Sequence, residues 1–261
     1  MKINRSHVKS TFAEYVSHYN AQDEKVKLKI DHTYRVAALC ERIAVSEKLS
    51  KEDVSMAWLC GMLHDIGRFE QLKNYGTFID SQSIDHALYG ASMLFEEGKI
   101  TDYLDQPSKE VCAFLNKVIS CHSAYRVPEE YDERTRMFAD ILRDADKIDI
   151  LKVNIEVPLE EIYNVTTEDL MNAEVTRTVM ESFSSEQATL RTLKKTPVDH
   201  VVGHISLVYE LVYPFSLQIV KEQGYLDKLM NFPSWNQKTL EQFKQLRTMM
   251  QSYLDRRCHC S

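Results

Sequence analysis

Glycine and proline are scarce in this chain, which has 7 glycines and 6 prolines among 261 residues. These residues usually separate short elements, so their scarcity favours long helices over many short strands. No apolar run approaches the roughly 20 residues that a membrane-spanning helix needs, and we expect no transmembrane segment. The N-terminus becomes polar at once and lacks the apolar core of a secretory signal. We therefore expect a cytoplasmic protein.

Cysteine is also too thinly spread to form a disulfide framework. The 6 cysteines are scattered, and most lie within or beside apolar helical patterns. This placement indicates buried thiols in a reducing compartment. The C-terminal Cys258-His259-Cys260 has metal-binding atoms but lacks a complete set of four zinc ligands, and we interpret it as a frayed tail.

Negative charge predominates, with 39 acidic against 32 basic residues and a net charge of -7. This balance argues against a surface that binds nucleic acid polymers. It does not exclude a phosphorylated small molecule, because bound cations would supply positive charge locally. The apolar fraction of 44% and charged fraction of 27% are typical of a globular protein with a substantial core.

Apolar residues recur at helical spacing along most of the chain, which predicts an all-α fold. Residues 69–84 lack this period, and we predict a loop that acts as a lid or binding element. Pro214 should bend or end the helix that contains it. The predicted helices cover 7–20, 23–30, 32–49, 50–64, 85–95, 107–121, 129–151, 168–183, 184–194, 198–222 and 238–257. The weakest join lies at 152–168, so we divide the chain into a core over 1–152 and a helical extension over 153–261.

Metal-binding residue types recur at the predicted helix ends. An imidazole beside a carboxylate is costly to bury unless one group binds both, and a divalent metal does so. Any one of these histidines alone is more typical of a core or surface residue, but the whole set favours a metal centre. The set is His32, His64-Asp65, His86, His122 and Asp146.

The order of these residues resembles that of the HD superfamily of metal-dependent phosphohydrolases. The segments that carry the resemblance are His64-Asp-Ile-Gly-Arg, His86-Ala-Leu-Tyr-Gly-Ala and Asp144-Ala-Asp146-Lys-Ile-Asp, within roughly residues 30–152. The resemblance implies an HD-type helical bundle that binds one or two divalent transition metal ions. Iron, manganese, zinc, cobalt and nickel all suit imidazole and carboxylate ligands.

The resemblance also assigns roles to individual residues. His32, His64, Asp65 and Asp146 would hold a first metal ion. Asp65 would bridge to a second ion held by His86 and His122. Asp146 is favoured over Asp144 because Ala-Asp-Lys matches the family pattern, and Asp149 could support it from one turn away.

Cationic residues near these ligands are candidates for binding the substrate's phosphate. They are Arg35, Arg68, Arg126 and Lys147. Together with Asp65, Arg68 is also expected to be catalytic, since a guanidinium there could neutralise charge that develops in the transition state. Glu70 is a candidate general acid for the leaving group.

The expected function is hydrolysis of a phosphoester of a small molecule, such as a nucleotide, by a metal-activated hydroxide. The alternatives are a diiron oxygenase of HD type and a non-catalytic regulatory or scaffold HD domain. Cys121-His122-Ser123 replaces the paired histidines and Gly-Tyr-Pro of cyclic-dinucleotide phosphodiesterases, which argues against that subfamily. The sequence shows no synthetase domain beside the core, which argues against a bifunctional alarmone enzyme. The extension is expected to bury a homodimer face or to roof the pocket.

Overall fold

The computed structural model describes residues 2–259, which contain no β-strand, and the chain is 72% helical. The predicted all-α fold is thus confirmed. The helices are α1 (Arg5–Ser17), α2 (Glu24–Ser46), α3 (Lys51–Leu63), α4 (Ile66–Tyr75), α5 (His86–Phe95), α6 (Ile100–Tyr103), α7 (Lys109–Ser120), α8 (Glu133–Glu156), α9 (Leu159–Tyr163), α10 (Thr167–Asn172), α11 (Arg177–Ser184), α12 (Pro197–Ile205), α13 (Pro214–Gln223), α14 (Tyr225–Met230) and α15 (Gln237–His259). None of the described helices is both long and apolar enough to cross a membrane.

Contacts between residues divide the chain into two compact units, Met1–Asp146 and Lys147–Ser261, with the boundary inside α8. Such a boundary describes packing and not independent folding. The predicted domains, 1–152 and 153–261, therefore stay a prediction. The side chains of Cys258 and His259, and the whole of Cys260, lie outside the part of the chain that the structure describes.

Short polar side chains cap several helices of the first unit. Ser50 precedes α3 and accepts a hydrogen bond from the backbone N–H of Asp53 at 3.1 Å. Asp85 and Ser108 likewise cap α5 and α7. Each cap satisfies a backbone donor that has no partner within its own helix.

Two close approaches of backbone hold the central helices together. The helices α2 and α3 pack extensively, and a Cβ on Gly61 would lie 2.6 Å from Ala37 Cα. The helices α4 and α5 meet in the same way, because a Cβ on Gly67 would lie 2.5 Å from the backbone oxygen of His86. These two glycines therefore set how near α3 comes to α2 and α4 to α5.

The predicted loop over 69–84 is wrong in its first half. The helix α4 continues to Tyr75 and ends at Gly76, whose φ of 68° suits glycine. Within the predicted loop its buried apolar residues are Phe69 and Leu72, and polar neighbours hide this short pattern in the sequence. The rest is irregular apart from a 3-10 turn at Asp80–Gln82. The structure also joins two helices that the sequence predicts as separate, since 23–30 and 32–49 form the one helix α2.

The second unit is more broken than its periodicity indicates. The predicted helix over 168–183 is split into α10 and α11, because the buried Asp199 binds the extended backbone at Thr176. The predicted helix over 184–194 is wrong, since only a 3-10 turn forms at Arg191–Leu193. The predicted helix over 198–222 is also interrupted, because α12 ends at Ile205 and a 3-10 turn follows at Ser206–Glu210. Pro214 begins α13, where its missing N–H costs nothing.

We predict that Gly67→Ala lowers the free energy of unfolding by about 3 kcal/mol, because the new methyl group would overlap backbone that cannot rotate away. Thermal and urea denaturation measure this loss. The control is Gly98→Ala, at a glycine with a φ of 81° and no atom near its Cβ position. There we expect a loss of about 1 kcal/mol from the backbone conformation alone. Equal losses in the two variants would contradict the close approach of α4 and α5.

Candidate metal centre

Five elements of the first unit bring the predicted ligands into one cluster. His32 lies on α2, His86 begins α5 and Asp146 lies on α8. His64 follows the last residue of α3, and His122 follows the end of α7 by two residues. Asp65 is the single residue between His64 and the first residue of α4. Apart from Asp146, each ligand therefore lies at a helix end or within the first half of its helix.

The cluster is almost completely removed from solvent. The exposed fractions are 2% for His32, 0% for His64, 3% for Asp65, 3% for His86 and 4% for His122. The Asp146 side chain retains 17% exposure. So many ionisable groups are stable in a protein interior only when their polar atoms are paired.

One carboxylate oxygen of Asp65 faces a first group of donor atoms. Asp65 Oδ2 lies 3.5 Å from the Nε2 atoms of both His32 and His64. Asp146 Oδ1 lies 3.2 Å from His32 Nε2 and 4.0 Å from His64 Nε2. The ligand atoms of His32, His64 and Asp146 all lie close enough to share one metal ion.

The other oxygen of Asp65 faces a second group. Asp65 Oδ1 lies 3.4 Å from His86 Nε2 and 3.7 Å from His122 Nε2. These two Nε2 atoms are 3.0 Å apart. The two oxygens of one carboxylate thus face two different sets of imidazoles.

The hydrogen bonds made by Nδ1, the ring nitrogen that faces away from the cluster, determine the tautomer of each of these histidines. His122 Nδ1 lies 2.7 Å from the carbonyl oxygen of Ile119, and His64 Nδ1 lies 2.7 Å from that of Gly61. A carbonyl oxygen only accepts, so both Nδ1 atoms donate. His86 Nδ1 likewise faces a carboxylate oxygen of Asp80 at 2.8 Å. In the neutral imidazoles, each Nε2 therefore presents a lone pair to the cluster.

The donor atoms of this arrangement fit a divalent transition metal ion. Burial lowers the pKa of His64 to about 3. Burial also lowers the pKa of His86. The hydrogen bond to Asp80 raises this pKa, but the effect of burial is larger and the pKa is about 4. With Nδ1 donating on both His86 and His122, two lone pairs would meet at 3.0 Å without a proton between them. A shared cation satisfies both, and carboxylate and imidazole ligands suit a divalent transition metal.

Lys29 is a member of the site that the sequence analysis missed. Its Nζ lies 2.7 Å from Asp65 Oδ2, and its side chain is 16% exposed. Burial raises the pKa of Asp65, but Lys29, His64, His122 and Arg68 outweigh it and hold that pKa well below its usual value. Lys29 precedes His32 by three residues and so lies on the same face of α2. That spacing was the available signal.

Arg68, predicted to bind phosphate and act in catalysis, is held by the protein itself. Its NH1 donates to Gln71 Oε1 at 2.7 Å, to the Phe78 carbonyl at 2.7 Å and to Asp80 Oδ1 at 2.8 Å. Its Nε lies 3.6 Å from Asp65 Oδ1 and has no hydrogen-bond acceptor among the described residues. Arg68 thus borders the cluster while it anchors the segment after α4.

Asp80 is the second site residue that the sequence analysis missed. Its carboxylate accepts hydrogen bonds from Arg68 NH1, from Gln71 Nε2 at 2.9 Å and from His86 Nδ1. Burial raises its pKa, but these partners lower it far below the usual value. Asp80 therefore joins α4, the 3-10 turn and α5 at one point. Its position in the predicted binding loop was the only signal in the sequence.

The structure does not bring every predicted cation to the cluster. Arg126 is exposed, with its guanidinium 4.9 Å from the Tyr125 ring. Lys147 belongs to the second unit, where its Nζ lies 3.0 Å from Glu210 Oε2. Arg35 is half-buried on α2 and makes contacts of its own. That these residues bind substrate phosphate stays a prediction.

The alternative carboxylates also have other surroundings. Glu70 Oε1 accepts a hydrogen bond from Tyr19 at 2.7 Å. Asp144, weighed against Asp146, is fully buried, and its carboxylate is not among the grouped ligand atoms. Asp149 is buried in the second unit. A general acid role for Glu70 and a supporting role for Asp149 stay predictions.

Comparison with known proteins supports the family resemblance. Residues 30–151 match the model of the HD domain family. No curated protein and no solved structure matches the chain. The matched span contains all the residues of the cluster, from His32 to Asp146. Residues 30–151 thus match the HD domain family, which is consistent with an HD superfamily protein.

Proposed function

We propose that the protein is a metal-dependent phosphohydrolase that cleaves a phosphoester of a small molecule, such as a nucleotide. The observation that carries the proposal is the pair of opposed Nε2 atoms on His86 and His122, 3.0 Å apart beside the shared Asp65 carboxylate. Most HD domains are metal-dependent hydrolases. All the ligand positions of the family pattern carry ligand-type side chains here, which argues against a purely structural domain.

Each residue of the cluster has a distinct task in this proposal. His32, His64 and Asp146 would hold one divalent cation with Asp65 Oδ2, and His86 and His122 would hold a second with Asp65 Oδ1. Such cations polarise a phosphoryl oxygen and lower the pKa of a water molecule enough to supply hydroxide near neutral pH. The carbonyls of Gly61 and Ile119, with Asp80, hold the outer Nδ1 protons and keep each Nε2 available for binding. The burial of the ligands limits access of other water.

We also propose a cytoplasmic location and a phosphorylated small molecule as the partner. The net charge of -7 supports a small substrate over a nucleic acid polymer. A homodimer formed through the helical extension stays a prediction.

We predict that Asp65→Asn weakens metal binding, because the amide lacks the negative charge that lies between the two groups of histidines. Protein reconstituted anaerobically with Mn²⁺ or Fe²⁺ is analysed for bound metal and assayed against a panel of phosphorylated metabolites. The variant should bind less metal and hydrolyse the active substrate at least about 100-fold more slowly.

The matched control for this variant is Asp31→Asn, at an exposed carboxylate beside His32 on the same helix. It should behave as the wild type in both measurements. Equal hydrolysis by wild type and Asp65→Asn would place the activity elsewhere. Metal-dependent oxygen consumption without phosphate release would favour the diiron oxygenase instead.

We predict that Asp80→Asn weakens the second group selectively, because His86 loses the carboxylate that orients its ring. The affinity for the more weakly bound metal ion should fall about 10- to 100-fold, while the other ion is retained. Isothermal titration calorimetry with Mn²⁺ separates the two binding steps. Ser81→Ala, in the same 3-10 turn and exposed, is the control and should leave both unchanged. Loss of both ions in equal measure would contradict the separate role of Asp80.

A further inference from the structure

Asp146 of the cluster, and Lys29 and Arg68 beside it, retain contact with solvent. Lys29, Arg68 and Asp146 have 16%, 13% and 17% of their side-chain surface exposed. Lys29 Nζ and Arg68 Cζ lie 5.3 Å and 5.7 Å from the centre of the Phe78 ring, which places both cations beside one aromatic side chain. These residues therefore border the accessible side of the cluster, by which a substrate would have to reach it.

The two cations differ in how many acceptors the protein gives them. Arg68 NH1 faces the acceptors on Gln71, Phe78 and Asp80, which fix its guanidinium. Lys29 Nζ has one acceptor in the described part of the chain, Asp65 Oδ2 at 2.7 Å. An ammonium has three N–H donors on a flexible stem. Two donors of Lys29 therefore remain for a ligand beside the cluster.

From these contacts we propose that Lys29 is a substrate-binding residue and that the pocket selects phosphomonoesters. One N–H of Lys29 stays on Asp65, and the other two donate to non-bridging oxygens of the phosphate. The inference rests on the proposed function, since Asp65 is the carboxylate at the centre of the metal site. Arg68, which the sequence favours, keeps the pocket wall in place.

The charges that surround the cluster argue for a dianionic phosphate. Arg68 is paired with Asp80, and Lys29 with Asp65. The buried Arg143, which contacts the His122 carbonyl, and the buried Asp144 carry opposite charges, which leaves the charge of Asp146. With two divalent ions bound, these groups together carry three positive charges. A phosphomonoester dianion and the attacking hydroxide carry three negative charges between them. A phosphodiester has one negative charge fewer and would leave the buried site with a net positive charge, which is costly.

The test measures binding, so that it does not depend on turnover. Wild type and Lys29→Met, each loaded with Mn²⁺, are first analysed for metal content. They are then titrated calorimetrically with inorganic phosphate at about pH 8, where phosphate is mainly a dianion. Dimethyl phosphate, a monoanion, is the second probe. Lys29→Arg retains the positive charge, and Lys27→Met removes an exposed lysine of the same helix that pairs with Glu24.

We expect Lys29→Met to keep its metal and to bind inorganic phosphate at least about tenfold more weakly than the wild type. Lys29→Arg should recover part of this affinity, and Lys27→Met should match the wild type. The wild type should bind inorganic phosphate more tightly than dimethyl phosphate, and Lys29→Met should reduce that preference.

Two outcomes overturn the proposal in different ways. Unchanged phosphate affinity in metal-loaded Lys29→Met would remove Lys29 from the substrate site and leave the proposed function intact. Wild-type protein without bound metal would overturn the proposed function, and the assignment of Lys29 with it. A Lys29→Met variant that lost its metal while Lys29→Arg retained both metal and phosphate binding would assign Lys29 to the metal site and overturn its role in substrate binding.

Discussion

The candidate site depends on one buried carboxylate that two groups of imidazoles share. Asp65 is 3% exposed, and an ionised carboxylate is costly to bury without compensation. Lys29 contacts its Oδ2 at 2.7 Å, and Arg68 approaches its Oδ1 at 3.6 Å, so cations flank both oxygens. This pairing keeps the charge of Asp65 in place. Four histidine Nε2 atoms lie 3.4 to 3.7 Å from the oxygens of this one residue, an arrangement that a shared cation would stabilise.

Close contacts of the backbone on both sides of Asp65 also position the ligands. Gly61 lets α3 approach α2, which carries His32, and Gly67 lets α4 approach α5, which begins with His86. These glycines flank His64 and Asp65 on either side in the sequence. A larger residue at either position would separate a helix from the one that supplies its partner ligand. The distances within the cluster are therefore set by backbone contacts between helices as much as by the ligands themselves.

The sequence allows the fold class and the ligand set to be predicted for a simple reason. Helical periodicity and capping residues such as Ser50 act locally, and the order of histidines and aspartates is visible without coordinates. The sequence is less informative wherever a tertiary contact overrides the local preference for a helix. Asp199 interrupts the predicted helix over 168–183 from a distance. The helix α4 was missed because Phe69 and Leu72, its buried apolar residues beyond Ile66, are too few to produce a clear period.

The same limit explains why the sequence analysis named Arg68 and missed Lys29. Proximity to a motif indicates that a cation lies near the site, but it does not indicate which of its donors the protein already uses. Asp80, fifteen residues beyond Asp65, accepts from Arg68 NH1 and so fixes a guanidinium whose roles in phosphate binding and catalysis stay a prediction. Lys29 precedes the first ligand and receives a single acceptor. The role of a charged side chain at such a site thus follows from the number of acceptors that the fold places around it, which only the three-dimensional arrangement determines.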